Sequence, residues 1–279
     1  MQVLVTGATG TVGREVVRAL LERGHAVRAL SRDPATAALP AEVEVVRGDL
    51  TDPTSLAPAL QGVEAVHLIT FDAPRGSGGG APLTEVKPLL AQLRSAGVRR
   101  VTVLQNGYPG PLEAALAEQD AIGWTILQPV ELMANMIGDW AEQIRAAGRV
   151  EEPYVDRLSA MVHEADIGDV AALALIGGGY EGAELVITGP RPLTLRDKLD
   201  AVTAATGREV ELVELTVEEA EARWRAQGMD DETIAFSHWI YGDGGPEIGR
   251  TPSGVVEHVT GRPAREVTAW AAAHADAFR

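Results

Sequence analysis

Cysteine is absent from the 279 residues, which excludes disulfides, thiol nucleophiles and cysteine-ligated metals together. Positive charge is scarce: 24 lysines and arginines face 40 aspartates and glutamates, a formal charge of -16. With no local basic patch, such a chain repels nucleic acid and anionic lipid surfaces, so neither is an expected partner. No apolar run approaches the ~20 residues needed to span a bilayer. A strand begins at Gln2 with no basic-then-apolar leader, so the expected location is cytoplasmic. The six histidines are scattered, and none is spaced from a second ligand as in His-Glu-x-x-His, so no metal site is expected. Gly76-Ser77-Gly78 does not supply the Gly-x-Ser-x-Gly elbow of a serine hydrolase.

What is present is concentrated at the start. Val3, Leu4 and Val5 form an apolar run that enters TGATGTVG, Thr6 to Gly13, and from Thr11 the pattern turns helical with Val12, Val16, Val17, Leu20 and Leu21 on one face. A strand, a tight turn and a helix follow from this pattern. Gly7 permits a turn closed to residues with a Cβ, Gly10 lets the main chain approach a ligand, and Gly13 lets the helix pack near the strand. The free N–H groups of the helix's first turn, with Thr9, Thr11 and Val12 beside them, suit a pyrophosphate. A glycine-rich turn that binds nothing is the alternative, but standing after a strand and opening a helix is the context that marks a dinucleotide site.

The first helix should stop near Arg23, capped by Gly24. A second strand, Ala26 to Leu30, ends in Ser31, Arg32 and Asp33, where a dinucleotide fold meets the adenosine ribose. Arg32 is placed to pair with a 2′-phosphate. Such a contact is worth ~1.5–3 kcal/mol, which favours NADP over NAD by one to two decades. The alternative is a solvated Arg32, with Asp33 accepting from the 2′-hydroxyl and NAD preferred. After a third strand, Val43 to Arg47, Asp49 is placed to accept from the adenine amino group with Leu50 on the ring, or to cap a short helix from Pro53. Glu64 to Thr70 reads as a fourth strand covered on both faces, with His67 a core histidine and Thr70 at its C-terminal end.

Phe71 to Ala81 (FDAPRGSGGGA) predicts a mobile loop, either part of a lid over the ligand edge or a plain connector. Leu83 to Ala96 reads as a helix, Val98 to Leu104 as a strand, Leu112 to Gln119 as a helix and Trp124 to Leu127 as a strand closing on Gln128 and Pro129. This alternation implies βαβ units and a doubly wound parallel α/β sheet. The length sits near the ~250–300 residues where one core begins to split.

Six stretches carry a more specific resemblance: TGATGTVG, GDL at Gly48 to Leu50, AGVRRVTVL at Ala96 to Leu104, GWTILQP at Gly123 to Pro129, HEADIGDVA at His163 to Ala171, and VTGRPAREVTAW at Val259 to Trp270. On these the chain resembles the NmrA-like, atypical branch of the short-chain dehydrogenase/reductase superfamily, which includes NADPH-dependent quinone reductases, isoflavone-reductase-type enzymes and dinucleotide-sensing regulators. The resemblance implies a Rossmann-like dinucleotide domain over residues 1–150, with segments from 160–190 contributing, and a smaller α+β lobe over 151–279 covering the nicotinamide end. Asp166 to Ile176, Leu195 to Ala205 and Val217 to Arg225 then read as helices, and Glu184 to Thr188 and Glu209 to Glu214 as strands. The lobe core is expected to include Val186, Leu195, Leu199, Val213 and Leu215. Trp239 and Tyr241, beside a loop from Gly242 to Pro246, are pocket or core aromatics.

The chemistry departs from the typical pattern. The superfamily's Tyr-x-x-x-Lys pair, in which lysine lowers the tyrosine pKa for proton exchange, has no counterpart here: the fifth strand ends in Gln105, Asn106, Gly107 and Tyr108, and four residues on stands Leu112. The helix after it offers only acids between Glu113 and Glu118. Tyr108 is a candidate proton donor or a loop aromatic. Asn106 and Gln105 are candidates for hydrogen bonds to nicotinamide or substrate oxygen, and Asn135 for the pocket or a helix surface. His163 is placed to protonate a reduced product or a carbonyl oxygen, or to fix the segment before Asp166. A quinone accepts hydride readily and needs chiefly orientation. The expected activity is NAD(P)H-dependent hydride transfer to a small aromatic or quinone-like molecule. A non-catalytic dinucleotide sensor, or a tailoring monooxygenase of secondary metabolism acting on an aromatic polyketide, are the alternatives.

Overall fold

The computed structural model describes residues 1–72, 81–105, 107, 109–242 and 247–279. Asn106, Tyr108, most of the glycine-rich segment after Asp72, and residues 243–246 of the expected loop lie outside the described residues. The chain opens on β1 (Gln2–Val5), α1 (Thr11–Glu22), β2 (Ala26–Ser31) and β3 (Glu44–Arg47). A short α2 (Ala57–Leu60) leads to β4 (Ala65–Ile69), beyond which two-residue strands β5 (Phe71–Asp72) and β6 (Ala81–Pro82) pair antiparallel. Next come α3 (Val86–Ser95), β7 (Arg100–Leu104), α4 (Pro111–Ala117) and β8 (Gly123–Pro129). α5 (Asn135–Ala147) and β9 (Arg149–Glu152) precede α6 (Glu164–Gly177) and β10 (Ala183–Ile187). The remainder holds α7 (Leu195–Thr206), β11 (Glu211–Glu214), α8 (Val217–Ala226), α9 (Asp231–Tyr241), α10 (Val255–Thr260) and α11 (Val267–Ala273).

The chain divides into two compact units, one of residues 1–129, 164–187 and 255–262, the other of 130–163, 188–254 and 263–279. The first is built on a seven-stranded sheet in the order β10-β8-β7-β4-β1-β2-β3, parallel at every pairing. Helices on both faces bury such a sheet, which is why Val3, Leu4, Val5, Val66 and Leu68 are all nearly sealed from water. The direction of winding reverses between β1 and β4, the switch point where doubly wound sheets hold ligands.

Two helices on this sheet approach unusually closely. A Cβ at Gly168 of α6 would stand 2.5 Å from the Glu15 carbonyl carbon of α1, so only glycine allows the crossing. Beside it, Asp169 takes Arg23 at 3.2 Å, Arg18 at 3.4 Å and Arg262, while the wholly buried Asp166 takes Arg262 at 3.3 Å. The HEADIGDVA and VTGRPAREVTAW stretches therefore meet through the ion pairs of Asp166 and Asp169 with Arg262.

β10 corrects an expectation. Its strand pairs in register with β8, Leu185 opposite Leu127, so Val186 belongs to the large sheet and not to the smaller lobe's core. The first segment of the second unit, 130–163, is inserted between β8 and α6, and the βαβ rhythm resumes with α6 and β10 before the chain returns to the second unit. Another boundary shifts: α3 begins at Val86 instead of Leu83, whose N–H donates to the Thr70 carbonyl at 3.0 Å.

The second unit pairs β9 with β11 in parallel. Its main core gathers Met133, Trp140, Ile144, Val150, Leu195, Leu199, Trp270 and Phe278. Leu215 packs in a satellite cluster with Ala220, Trp224 and Ile234, and Val213 is half-buried. α7 and α8 open on matching capping boxes, Thr194 with Asp197 and Thr216 with Glu219. Lys198 is wholly buried, 2.7 Å from Glu131. Burial works against the Glu131 carboxylate, but the Lys198 and Arg157 charges outweigh it and hold its pKa down to about 2.

Candidate functional site

All seven strands run parallel, so the loops after β1, β2, β3, β4, β7 and β8 leave one edge of the sheet. That edge carries, from one side to the other, Asp49 and Leu50, Arg32, the glycine loop, Thr70, Gln105 and Pro129. The sequence-derived cofactor residues are thus brought into a single row spanning the switch point.

The glycine loop has the geometry its sequence predicts at two positions. Gly7 has φ +61°, a left-handed conformation that disfavours a Cβ. A Cβ at Gly13 would stand 2.1 Å from the Gly7 carbonyl oxygen, so the helix can press on the loop only with glycine there. Gly10 is exposed and extended, at φ -79°; its N–H donates to the Gly7 carbonyl at 2.9 Å, and an added Cβ would meet that same oxygen at 3.2 Å. Its requirement for glycine is therefore partly internal to the turn. Thr6 ties the loop to β4, donating to the His67 carbonyl and accepting from the Ile69 N–H, each at 3.0 Å.

The start of α1 suits a pyrophosphate. Gly10 as N-cap offers no side chain to the first-turn amides, and no acidic residue lies in that turn. Exposed Thr11 and buried Val12 and Gly13 follow. The N–H groups and the positive end of the helix dipole are left for an anion. Arg14, which sequence reasoning passed over, braces the cradle by donating to the Thr9 carbonyl at 3.0 Å and to the Ala38 carbonyl at 2.8 Å.

Arg32 is exposed immediately beyond β2. The alternative given to Asp49, capping the helix at Pro53, is corrected: Asp52 is that cap, accepting from the Thr54 N–H. Asp49 Oδ1 instead takes the Thr51 N–H at 2.9 Å and hydroxyl at 2.8 Å, a local turn. Leu50 is half-buried and packs on the core cluster under β4. Thr70 is buried with its hydroxyl 3.4 Å from the Leu104 carbonyl, and the Gln105 N–H donates to the Leu127 carbonyl at 3.0 Å. Pro129 ends β8 opposite Ile187.

The candidates for chemistry are less gathered. Glu113, in the acid-only helix, is spent on the N-terminus of α4, accepting from the Gly110 N–H at 3.0 Å. His163 is half-buried, directly before α6, and belongs to the second unit. Asn135 is exposed at the start of α5. Trp239 is 41% exposed and so is no core residue, while Tyr241 lines a cavity. Among the described residues no group of three metal-ligating side chains is found, and no helix is long and apolar enough to cross a membrane.

A family model described as NAD(P)H-binding matches residues 7–108. Over 99% of both chains, this sequence is 33% identical to a (4-alkanoyl-5-oxo-2,5-dihydrofuran-3-yl)methyl phosphate reductase of Streptomyces griseus. It is 32% identical, again over 99% of each, to an NAD(P)H azoreductase of Xenophilus azovorans. Among solved structures, an NADPH-dependent quinone oxidoreductase of Escherichia coli, complexed with NADPH, matches with a TM-score of 0.78 over 97% of this chain and 99% of that one, at 24% identity. Glycine cradle, parallel sheet and full-length likeness to reductases agree: the chain belongs to the NmrA-like, atypical branch of the short-chain dehydrogenase/reductase family and is an NAD(P)H-dependent oxidoreductase.

Proposed function

We propose that this oxidoreductase delivers hydride to a small, flat, electron-poor conjugated acceptor, aromatic or quinone-like, with NADP preferred over NAD. The uncapped, acid-free start of α1 over the glycine cradle is the observation that carries the cofactor half of this reading. The acceptor half is supported by chemistry common to the two full-length relatives: one reduces a dihydrofuranone whose ring double bond is conjugated with carbonyl groups, the other an azo bond. In such acceptors the negative charge left after hydride addition is delocalised onto oxygen or nitrogen, so the strongly activated tyrosine of alcohol–ketone chemistry is less needed.

In this reading the first unit binds the dinucleotide. The first-turn amides of α1 hold the pyrophosphate and Arg32 the 2′-phosphate, with Asp49 and Leu50 at the adenine. Thr70, Gln105 and Pro129 border the nicotinamide half, and Asn106, Tyr108 and His163 are candidates for contact with the acceptor. The bound dinucleotide supplies the hydride; the protein's part is to fix its orientation and exclude water.

The test is to mix protein and NADPH with a panel of quinones, azo dyes and polycyclic phenols while following cofactor absorbance and oxygen uptake. NADPH oxidation without oxygen uptake is the expected result. Binding with no turnover across the panel would favour a sensor, and substrate-dependent oxygen consumption an oxygenase.

A further inference from the structure

Arg14 is the fourth residue of α1, and helical side chains lean toward the N-terminus, so its guanidinium lies back over the glycine loop. Its Nε donates to the Thr9 carbonyl at 3.0 Å and its Nη1 to the Ala38 carbonyl at 2.8 Å. One cation therefore spans the loop after β1 and the loop after β2, the two segments at which a dinucleotide fold seats the adenosine ribose. Ala38 holds a left-handed backbone at φ +43°, a conformation that a residue with a Cβ keeps where its surroundings impose it. Ala37 beside it is buried and anchors the loop.

The charge of Arg14 is not neutralised by these bonds. Arg18, Arg23, Arg28 and Arg99 of the same unit each pair with a carboxylate, whereas among the described residues Arg14 has none. Carbonyl oxygens satisfy N–H groups without cancelling the positive charge. Two of the guanidinium's five donors are committed, and the others remain on an exposed side chain. Asp33, the acid that would accept from a ribose 2′-hydroxyl, is engaged within its own loop: Oδ2 accepts from the Thr36 hydroxyl at 2.9 Å, and the Asp33 N–H donates to Ser31 Oγ at 3.1 Å.

We propose that Arg14 is a second specificity-determining residue of the cofactor site, taking the 2′-phosphate of NADPH together with Arg32 while its two carbonyl bonds hold it in place. The proposal rests on the NADP reading above, and all of these groups belong to the first unit. A guanidinium already fixed by two backbone oxygens loses little freedom on meeting the phosphate, and its planar fork suits phosphate oxygens. NADH has a neutral hydroxyl at that place and gains far less from the same cation. A residue that only braced the glycine loop would serve both cofactors alike, because the pyrophosphate is common to them.

The experiment measures Kd by calorimetry for NADPH and NADH, and for the adenosine fragments 2′,5′-ADP and ADP, with wild type, Arg14→Gln and Arg14→Gln/Arg32→Ala. Arg14→Gln is expected to weaken NADPH and 2′,5′-ADP on the order of 10-fold and to leave NADH and ADP within about twofold. The double variant should bind NADPH no tighter than NADH. Arg14→Met, which keeps the apolar stem, carries the same test if Arg14→Gln does not fold. Equal losses for the two cofactors, or no loss for either, in a protein whose wild type prefers NADPH, reduce Arg14 to a brace and overturn the proposal alone. Wild type that binds NADPH no tighter than NADH overturns the proposal together with the NADP reading on which it rests.

Discussion

His67 sits in β4 with no exposure, its Nδ1 2.9 Å from the Thr102 hydroxyl. The apolar run around it marked it as a core histidine, and its environment explains why it stays neutral: burial lowers its pKa from 6.5 to about 4. The unfolded chain binds the proton that the folded chain refuses. Stability from this group is therefore full above pH 6.5, falls as pH drops, and levels off near pH 4, a loss on the order of 3 kcal/mol. Urea unfolding of wild type and His67→Gln at pH 7 and pH 4.5 should show the smaller acid loss in the variant. Arg32 is the opposite kind of residue, exposed and readable only by its distance from the glycines. In calorimetry, Arg32→Ala is expected to weaken NADPH about 10- to 100-fold, in line with one charged contact of ~1.5–3 kcal/mol, and to leave NADH within twofold. Equal losses for the two cofactors would remove the 2′-phosphate role.

Among the elements, those with local signals were the most legible. β1, the glycine loop and α1 follow from an apolar run, three glycines and a helical stripe, and all three are found with ends shifted by a residue or less. α9 was not anticipated, although Asp230 caps it by accepting from the Thr233 N–H and acids fill its first turn; the sequence pattern to notice was that cap. Helix crossings leave weaker traces. Gly168→Ala would place a Cβ 2.5 Å from the Glu15 backbone, forcing α1 and α6 apart at a cost of roughly 1–3 kcal/mol. Because α1 carries the anion-binding turn, denaturant unfolding should show reduced stability and fluorescence titration a weaker NADPH affinity. Retained affinity with lowered stability would separate the crossing from the site.

For the molecule as a whole, ligand binding and stability are linked, since NADPH binds the folded chain. At a hundredfold excess over Kd it should add about 2.7 kcal/mol and raise Tm by several degrees; Gly13→Ala, whose Cβ would collide with the Gly7 carbonyl, should abolish that rise. The parallel sheet, and the order in which the candidate cofactor residues line its edge, were legible in the chain because each strand and loop announces itself within a few residues. Partnerships between distant residues were not. Asp166 and Arg262 are 96 positions apart, Lys198 and Glu131 67, and Tyr154 and His238 84; no local pattern encodes such pairs. The same holds for β10, whose apolar run suits either core and whose place beside β8 depends on how α6 packs. Glycines, apolar periodicity and caps act over one turn or one strand, and so they specify the dinucleotide cradle. Side-chain partnerships exist only once long-range packing has excluded water around them, and so a pair such as Lys198 and Glu131 emerges from the folded chain alone.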